Sequence, residues 1–233
     1  IDNDDDAYRY WCNDSGTPIN KDARLMKNYV RPIRAYGNWT MGCMDETACN
    51  YNPNANMADG SCTYAEEGYD CDGNINAQVG DGAFGGVVFY TDETGQRGLV
   101  ASMEGLVNID PYYDDSFVWG CVYEDVNGAT GISIGTGLQN TLDIINQECE
   151  PYQGNEIIAA QAAYDFESNI YSDWYLPSKD ELNEMYYSIG PETEFNNIVN
   201  FGPSNYIGVS TYWSSSEVDS EQAWCSEFEN TWG

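Results

Sequence analysis

Asp173-Trp-Tyr-Leu-Pro-Ser-Lys-Asp-Glu-Leu182 reads as an extended approach that ends in a helix start. Pro177 restricts the residue before it to extended conformations. Ser178 and Glu181 have the spacing at which a hydroxyl and a carboxylate satisfy orphan amide donors reciprocally, a capping box. From there Leu182, Met185, Tyr186 and Ile189 recur at helical spacing and predict a buried stripe. Working outward, Val87-Val-Phe-Tyr90 and Leu99-Val-Ala-Ser102 read as short strands about a polar turn from Asp92 to Gly98. Leu138, Leu142, Ile145 and Cys149, and then Ile158, Ala162 and Phe166, predict two further helices. Tyr206–Ser215 and Ala223–Phe228 are the expected late strands. Strands, helices and strands in that order indicate an α+β fold.

With 233 residues, 42% hydrophobic and 14% aromatic, the chain can hold one core of ordinary size plus extensions. No apolar run approaches the roughly 18 residues of a membrane span. Ile1 begins no recognisable signal sequence, so a mature or excised piece is expected. Charge is unevenly placed. Residues 1–40 carry six basic and six acidic residues, whereas the remainder has only Arg97 and Lys179 among its acids and holds the whole net charge of −31. Such a body repels nucleic acid and anionic membranes, which are bound by neutralising phosphates with Lys and Arg. It attracts cations, and it attracts a basic strand. The plainer account is that acidity keeps a secreted protein soluble.

Eight cysteines without a histidine favour disulfides over zinc sites, and hence an oxidising, extracellular compartment. Cys43, Cys49, Cys62 and Cys71 lack CxxC pairs, and among these four alone three pairings are open. Cys121 is expected to pair with Cys149. Composition divides the chain into an arm (1–37), a Cys/Asp/Asn-rich linker module (38–75) and a globular domain (76–233). The module, from Gly42 to Cys62, resembles the short Asp/Asn-rich Cys repeats that join domains in secreted bacterial surface proteins.

In the globular part, Phe84-Gly-Gly-Val-Val-Phe-Tyr90, Trp119-Gly-Cys121, Ile134-Gly-Thr-Gly-Leu-Gln-Asn-Thr141, Asp173–Leu182 and Tyr212-Trp-Ser-Ser-Ser-Glu217 occur in this order. Together they resemble the C-terminal domains first named for a bacterial collagen-like adhesin, and the resemblance covers roughly Gly80 to Gly233. It implies a C-type-lectin-like fold that normally ends in a Val-Arg-Pro-x-Arg-Ala-aromatic strand. Here that segment is Val30-Arg-Pro-Ile-Arg-Ala-Tyr36, ahead of the domain it should complete. The expectation is a structural subunit of an extracellular filament or tandem surface adhesin, joined head-to-tail to copies of itself by β-strand complementation. The plainer alternative is that the arm folds back on its own domain.

In an added strand Val30, Pro32, Arg34 and Tyr36 face one way, and Tyr29, Arg31, Ile33 and Ala35 the other. Pro32 cannot donate a ladder bond and places the strand at an edge. Arg31 and Arg34 are the expected anchors, with Glu217 as carboxylate partner. A head-to-tail contact that does not close into a ring yields a filament.

Calcium takes six to eight oxygen ligands from flexible loops. The candidates are Asp45 to Asp59, Asp70-Cys-Asp-Gly-Asn74 with Asp70, Asp72 and Asn74 as ligands, and Asp110 to Asp115. The alternative function is a calcium-assisted carbohydrate-binding adhesin module, with Trp174 and Trp213 as sugar contacts. Asn13 and Asn38 fit N-glycosylation sequons. Two apparent catalytic motifs fail on context. Gly80-Asp-Gly-Ala-Phe-Gly85 leads into a strand, and Gly131-Ile-Ser-Ile-Gly135 has no histidine to serve it. The chain is expected not to be an enzyme.

Overall fold

The computed structural model describes residues 30–106, 117–149, 157–168, 170–195, 199, 201 and 209–229. Tyr29, Asn13 and the Asp110 to Asp115 loop lie outside the described residues. The chain forms two compact units, Ile1–Glu46 with Tyr51–Ser61, and Thr47–Asn50 with Cys62–Gly233. Residues of the Cys-rich stretch 38–75 fall in both units. The physical reason is long-range stapling that local composition does not display. Cys49 is bonded to Cys71, the Cys49 N–H donates to the Thr63 carbonyl at 2.8 Å, and the Thr63 N–H donates to Asn50 Oδ1 at 2.8 Å. Tyr69 then meets Phe84 edge-on at 5.6 Å, which anchors this segment within the second unit.

In the first unit, strand β1 (Met41–Gly42) pairs in parallel with β2 (Met57–Ala58). Asn56 supports the pair twice. Its N–H donates to the Thr40 carbonyl, and its Oδ1 accepts from the Thr40 N–H, both at 2.9 Å. Cys43 is buried and disulfide-bonded. Residues 30–36 were expected as a strand and carry no regular structure. A strand exists only with a ladder partner, and among the described residues these seven make no backbone hydrogen bond to another backbone group.

The second unit is α+β. Strands β3 (Gly82–Ala83), β4 (Gly86–Thr91) and β5 (Gly98–Ser102) form an antiparallel sheet in that order. β4 is apolar on both faces because both are covered. Val87 and Phe89 join Leu182, Ile189 and Phe228, while Val88 joins Ala77 and Ala83. Gly86 has to be glycine, since a Cβ there would run into the Ala101 carbonyl of the neighbouring strand.

Helices α1 (Gly137–Asn146), α2 (Ala159–Tyr164) and α3 (Lys179–Ile189) follow, then the hairpin of β6 (Val209–Asp219) and β7 (Gln222–Glu229). In α3 both capping-box bonds form, and Leu182 and Ile189 are buried with Met185 and Tyr186 packed beside them. α1 is rotated from the expected stripe. It buries Gly137, Asn140, Thr141 and Ile144, leaving Leu138 44% exposed. Cys149 lies beyond that helix, bonded to Cys121 as expected. α2 is shorter than expected and ends before Phe166, burying Ala159, Ala160 and Ala163.

Candidate functional site

Three of the segments that carried the sequence resemblance converge on one buried polar knot. Glu181, at the start of α3, is almost wholly enclosed, and its two oxygens are used separately. Oε2 accepts the Ser178 N–H at 2.7 Å, closing the capping box, and Oε1 accepts the Gly135 N–H at 2.7 Å. Ser178 donates its hydroxyl to the Ser133 carbonyl at 3.0 Å, and the Asp180 N–H reaches the Ile132 carbonyl at 2.9 Å. The Gly131–Gly135 loop is thus bound along its backbone to the head of α3. This is structural work, and the Ser133 carbonyl, not its hydroxyl, is the engaged group.

On the other side of the loop, Ser216 donates its hydroxyl to the Gly131 carbonyl at 2.7 Å and accepts the Lys179 N–H at 2.9 Å. Asn140, buried on α1, donates to the same carbonyl at 2.6 Å and lies 3.3 Å from the Ser215 hydroxyl. The Ser215 N–H donates to the Pro177 carbonyl at 2.7 Å, and Thr141 accepts the Leu176 N–H at 3.1 Å. Buried polar groups are tolerated only when paired. Among the described residues every buried side-chain nitrogen and oxygen has a partner. Gly137 leaves room for this arrangement, because a Cβ there would strike the Glu181 carboxylate. Burial, with Glu181 and Asp173 nearby, pushes the adjacent Tyr175 up to about 12.

Glu217 closes the far end of the Ser-rich run. It is 8% exposed, its N–H donates to the Ala129 carbonyl at 2.7 Å, and its Oε1 accepts the Val126 N–H at 2.8 Å. It therefore ties β6 to the 124–129 loop. Burial raises its pKa, the Val126 N–H opposes that shift, and Asp125 and Asp219 add to it. A carboxyl whose folded pKa is raised binds protons more tightly folded than unfolded, so its charged form detracts from stability above that pKa. Glu217→Gln, which keeps the acceptor oxygen, is expected to raise the urea midpoint at about pH 7. The gain should fade as pH falls through the raised pKa toward the ordinary glutamate value of about 4.3, below which the parent carboxyl is neutral both folded and unfolded.

The residues proposed for assembly fall in two places. Val30, Arg31, Pro32, Ile33, Arg34 and Tyr36 are all exposed, and Glu217 is enclosed and engaged. Of the calcium candidates, Asp70 holds its own turn. Oδ1 accepts the N–H groups of Asp72 and Asn74 at 2.9 and 2.8 Å, and Oδ2 accepts Asn74 Nδ2 at 3.0 Å. These bonds, those of Asn74 foremost, lower its pKa. Asp59 likewise caps Ser61 at 2.9 Å. Asp45 and Asp59 belong to the first unit and Asp70, Asp72 and Asn74 to the second. Among the described residues no three acidic, histidine or cysteine side chains converge as metal ligands.

The proposed sugar contacts are half-buried in packing. Trp174 meets Phe166 edge-on at 5.5 Å, and Trp213 donates its indole N–H to the Phe117 carbonyl at 2.9 Å. Asn38 is exposed in a bend. No helix among the described residues is long and apolar enough to cross a membrane.

No family model, no curated protein and no solved structure matches this chain. The α+β architecture and the disulfides accordingly stand on the molecule's own geometry.

The feature that sequence reading missed is the outer edge of β7. Among the described residues this strand makes no backbone bond outside its hairpin with β6. Trp224 is 43% exposed on it, with the Lys179 ammonium 5.4 Å from its ring centre, and Cys225 is a free, exposed thiol. No local pattern in the sequence signals it, because which edge stays unpaired is decided only in the assembled sheet.

Proposed function

We propose that this chain is an extracellular structural subunit with a C-type-lectin-like domain, assembling head-to-tail by lending residues 30–36 to the next copy as an added β-strand. The observation that carries the reading is the state of the arm. Val30, Ile33 and Tyr36 are 89, 95 and 85% exposed, on a segment with no ladder partner among the described residues. Burying each such side chain returns roughly 1.5–3 kcal/mol, and ladder bonds form with it when an edge is supplied. A single apolar residue on a surface needs no explanation, but three within seven residues do. The disulfides agree with an oxidising compartment outside the cell. No catalytic chemistry is assigned to the chain.

The test is electron microscopy of the purified chain beside a version lacking residues 1–37. Fibres are expected from the intact chain alone. Compact single particles from the intact chain would overturn the assembly reading and leave glycan binding as the next function to examine, on a glycan array with and without calcium.

A further inference from the structure

We infer that the outer edge of β7, from Ala223 to Phe228, is the acceptor for residues 30–36 of a second copy of this chain. The inference depends on the assembly reading above and adds to it the receiving surface.

Four observations converge on this edge. First, among the described residues β6 and β7 form a sheet of two strands, and such a pair is marginal without further support. β6 is held on its far side, where the N–H groups of Ser215 and Glu217 donate to the carbonyls of Pro177 and Ala129. The edge of β7 has no equivalent among the described residues. Second, both faces of the hairpin are packed. Tyr212 and Phe228 join the cluster of Leu182, Ile189 and Phe201, while Trp213 and Ala223 join that of Trp119, Ile144 and Ile158. Toward the open edge this packing runs out, leaving Trp224 half-exposed and Cys225 exposed.

Third, a strand laid beside a sheet covered on both faces needs apolar side chains on both of its own. Residues 30–36 have them, Val30 and Tyr36 on one face and Ile33 and Ala35 on the other. Pro32 is compatible with a strand that becomes the new edge. Fourth, the charges are complementary. Exposed Glu221 and Glu227 border the edge, and Lys179, the one cation near it among the described residues, is already paired with Asp180 at 3.0 Å. The segment 30–36 brings Arg31 and Arg34 and no acid. Complementary charge of this kind orients docking and suppresses wrong registers. Glu227 is thus the assigned partner for an arm arginine in place of the enclosed Glu217.

Cys225 supplies the reporter. Single cysteines are placed at each position from Val30 to Tyr36 in a Cys12→Ser background, and the assembled protein is treated with a mild oxidant and run on non-reducing gels. Strands pair at about 4.8 Å and side chains alternate, and a disulfide needs Cα atoms within about 7 Å. The expected result is a ladder of covalent oligomers whose yield alternates along the arm by several-fold and vanishes with Cys225→Ser. Fibres by microscopy with no ladder, or with one that does not alternate, would overturn the β7 assignment while leaving strand donation intact. Absence of fibres from every variant and from the parent chain would overturn both.

Discussion

Replacing Glu181 by alanine is expected to lower the unfolding free energy by roughly 3–5 kcal/mol, read as a reduced urea midpoint with an unchanged slope. The side chain is 1% exposed, and it accepts the backbone N–H groups of Ser178 and Gly135, which have no other acceptor among the described residues. Each buried donor left without a partner costs about 1–3 kcal/mol. Loss of the reciprocal cap on α3 contributes to the same total. Glu181→Gln keeps one acceptor oxygen and should fall between the parent and the alanine variant. An alanine variant with parental stability would mean that the loop 131–135 is not held through this carboxylate.

Phe228→Ala should cost a similar amount, about 3–5 kcal/mol, by a different mechanism. Phe228 is fully buried, with ring centres of Phe201, Tyr212 and Tyr186 at 4.8, 4.9 and 5.0 Å. Removing it leaves a cavity where α3 meets the hairpin, and rings of this size on three sides cannot all collapse into it. Leu138→Ala is the control. Leu138 is exposed on α1, so its truncation should change the midpoint little. Since domains of this size have unfolding free energies of about 5–15 kcal/mol, either large effect is a substantial part of the whole. The Phe228 variant also tests the acceptor surface, because it weakens β7 without touching the arm.

Where the sequence was readable, the determinants were local. Ser178 and Glu181 are three residues apart, so their capping box was visible as a spacing. The hairpin of β4 and β5 was visible as two apolar runs about a polar turn. The phase of α1 was not, because apolar periodicity takes Leu138 for the buried side and has no means of choosing Asn140 and Thr141 instead. Their burial is decided by carbonyl and hydroxyl partners as far as 76 residues away along the chain, such as Ser215 and Ser216. The three serines at 214–216 read as a polar strand and are the most enclosed part of β6 for the same reason. The division of the Cys-rich stretch likewise depends on Cys49 reaching Cys71. The open edge of β7 was not legible, since which edge stays unpaired is a property of the assembled sheet.

The polar knot has a thermal consequence. Unfolding exposes the hydroxyls, amide and carboxylate of Ser178, Glu181, Asn140, Thr141 and Ser214–Ser216 along with the apolar clusters. Apolar exposure raises the heat capacity by about 0.45 cal/K/mol per Å² and polar exposure lowers it by about 0.26. A centre filled by hydrogen-bonded groups in place of leucines therefore flattens the dependence of stability on temperature. At a given melting temperature and unfolding enthalpy, such a centre loses less of its stability on cooling than one filled by leucines.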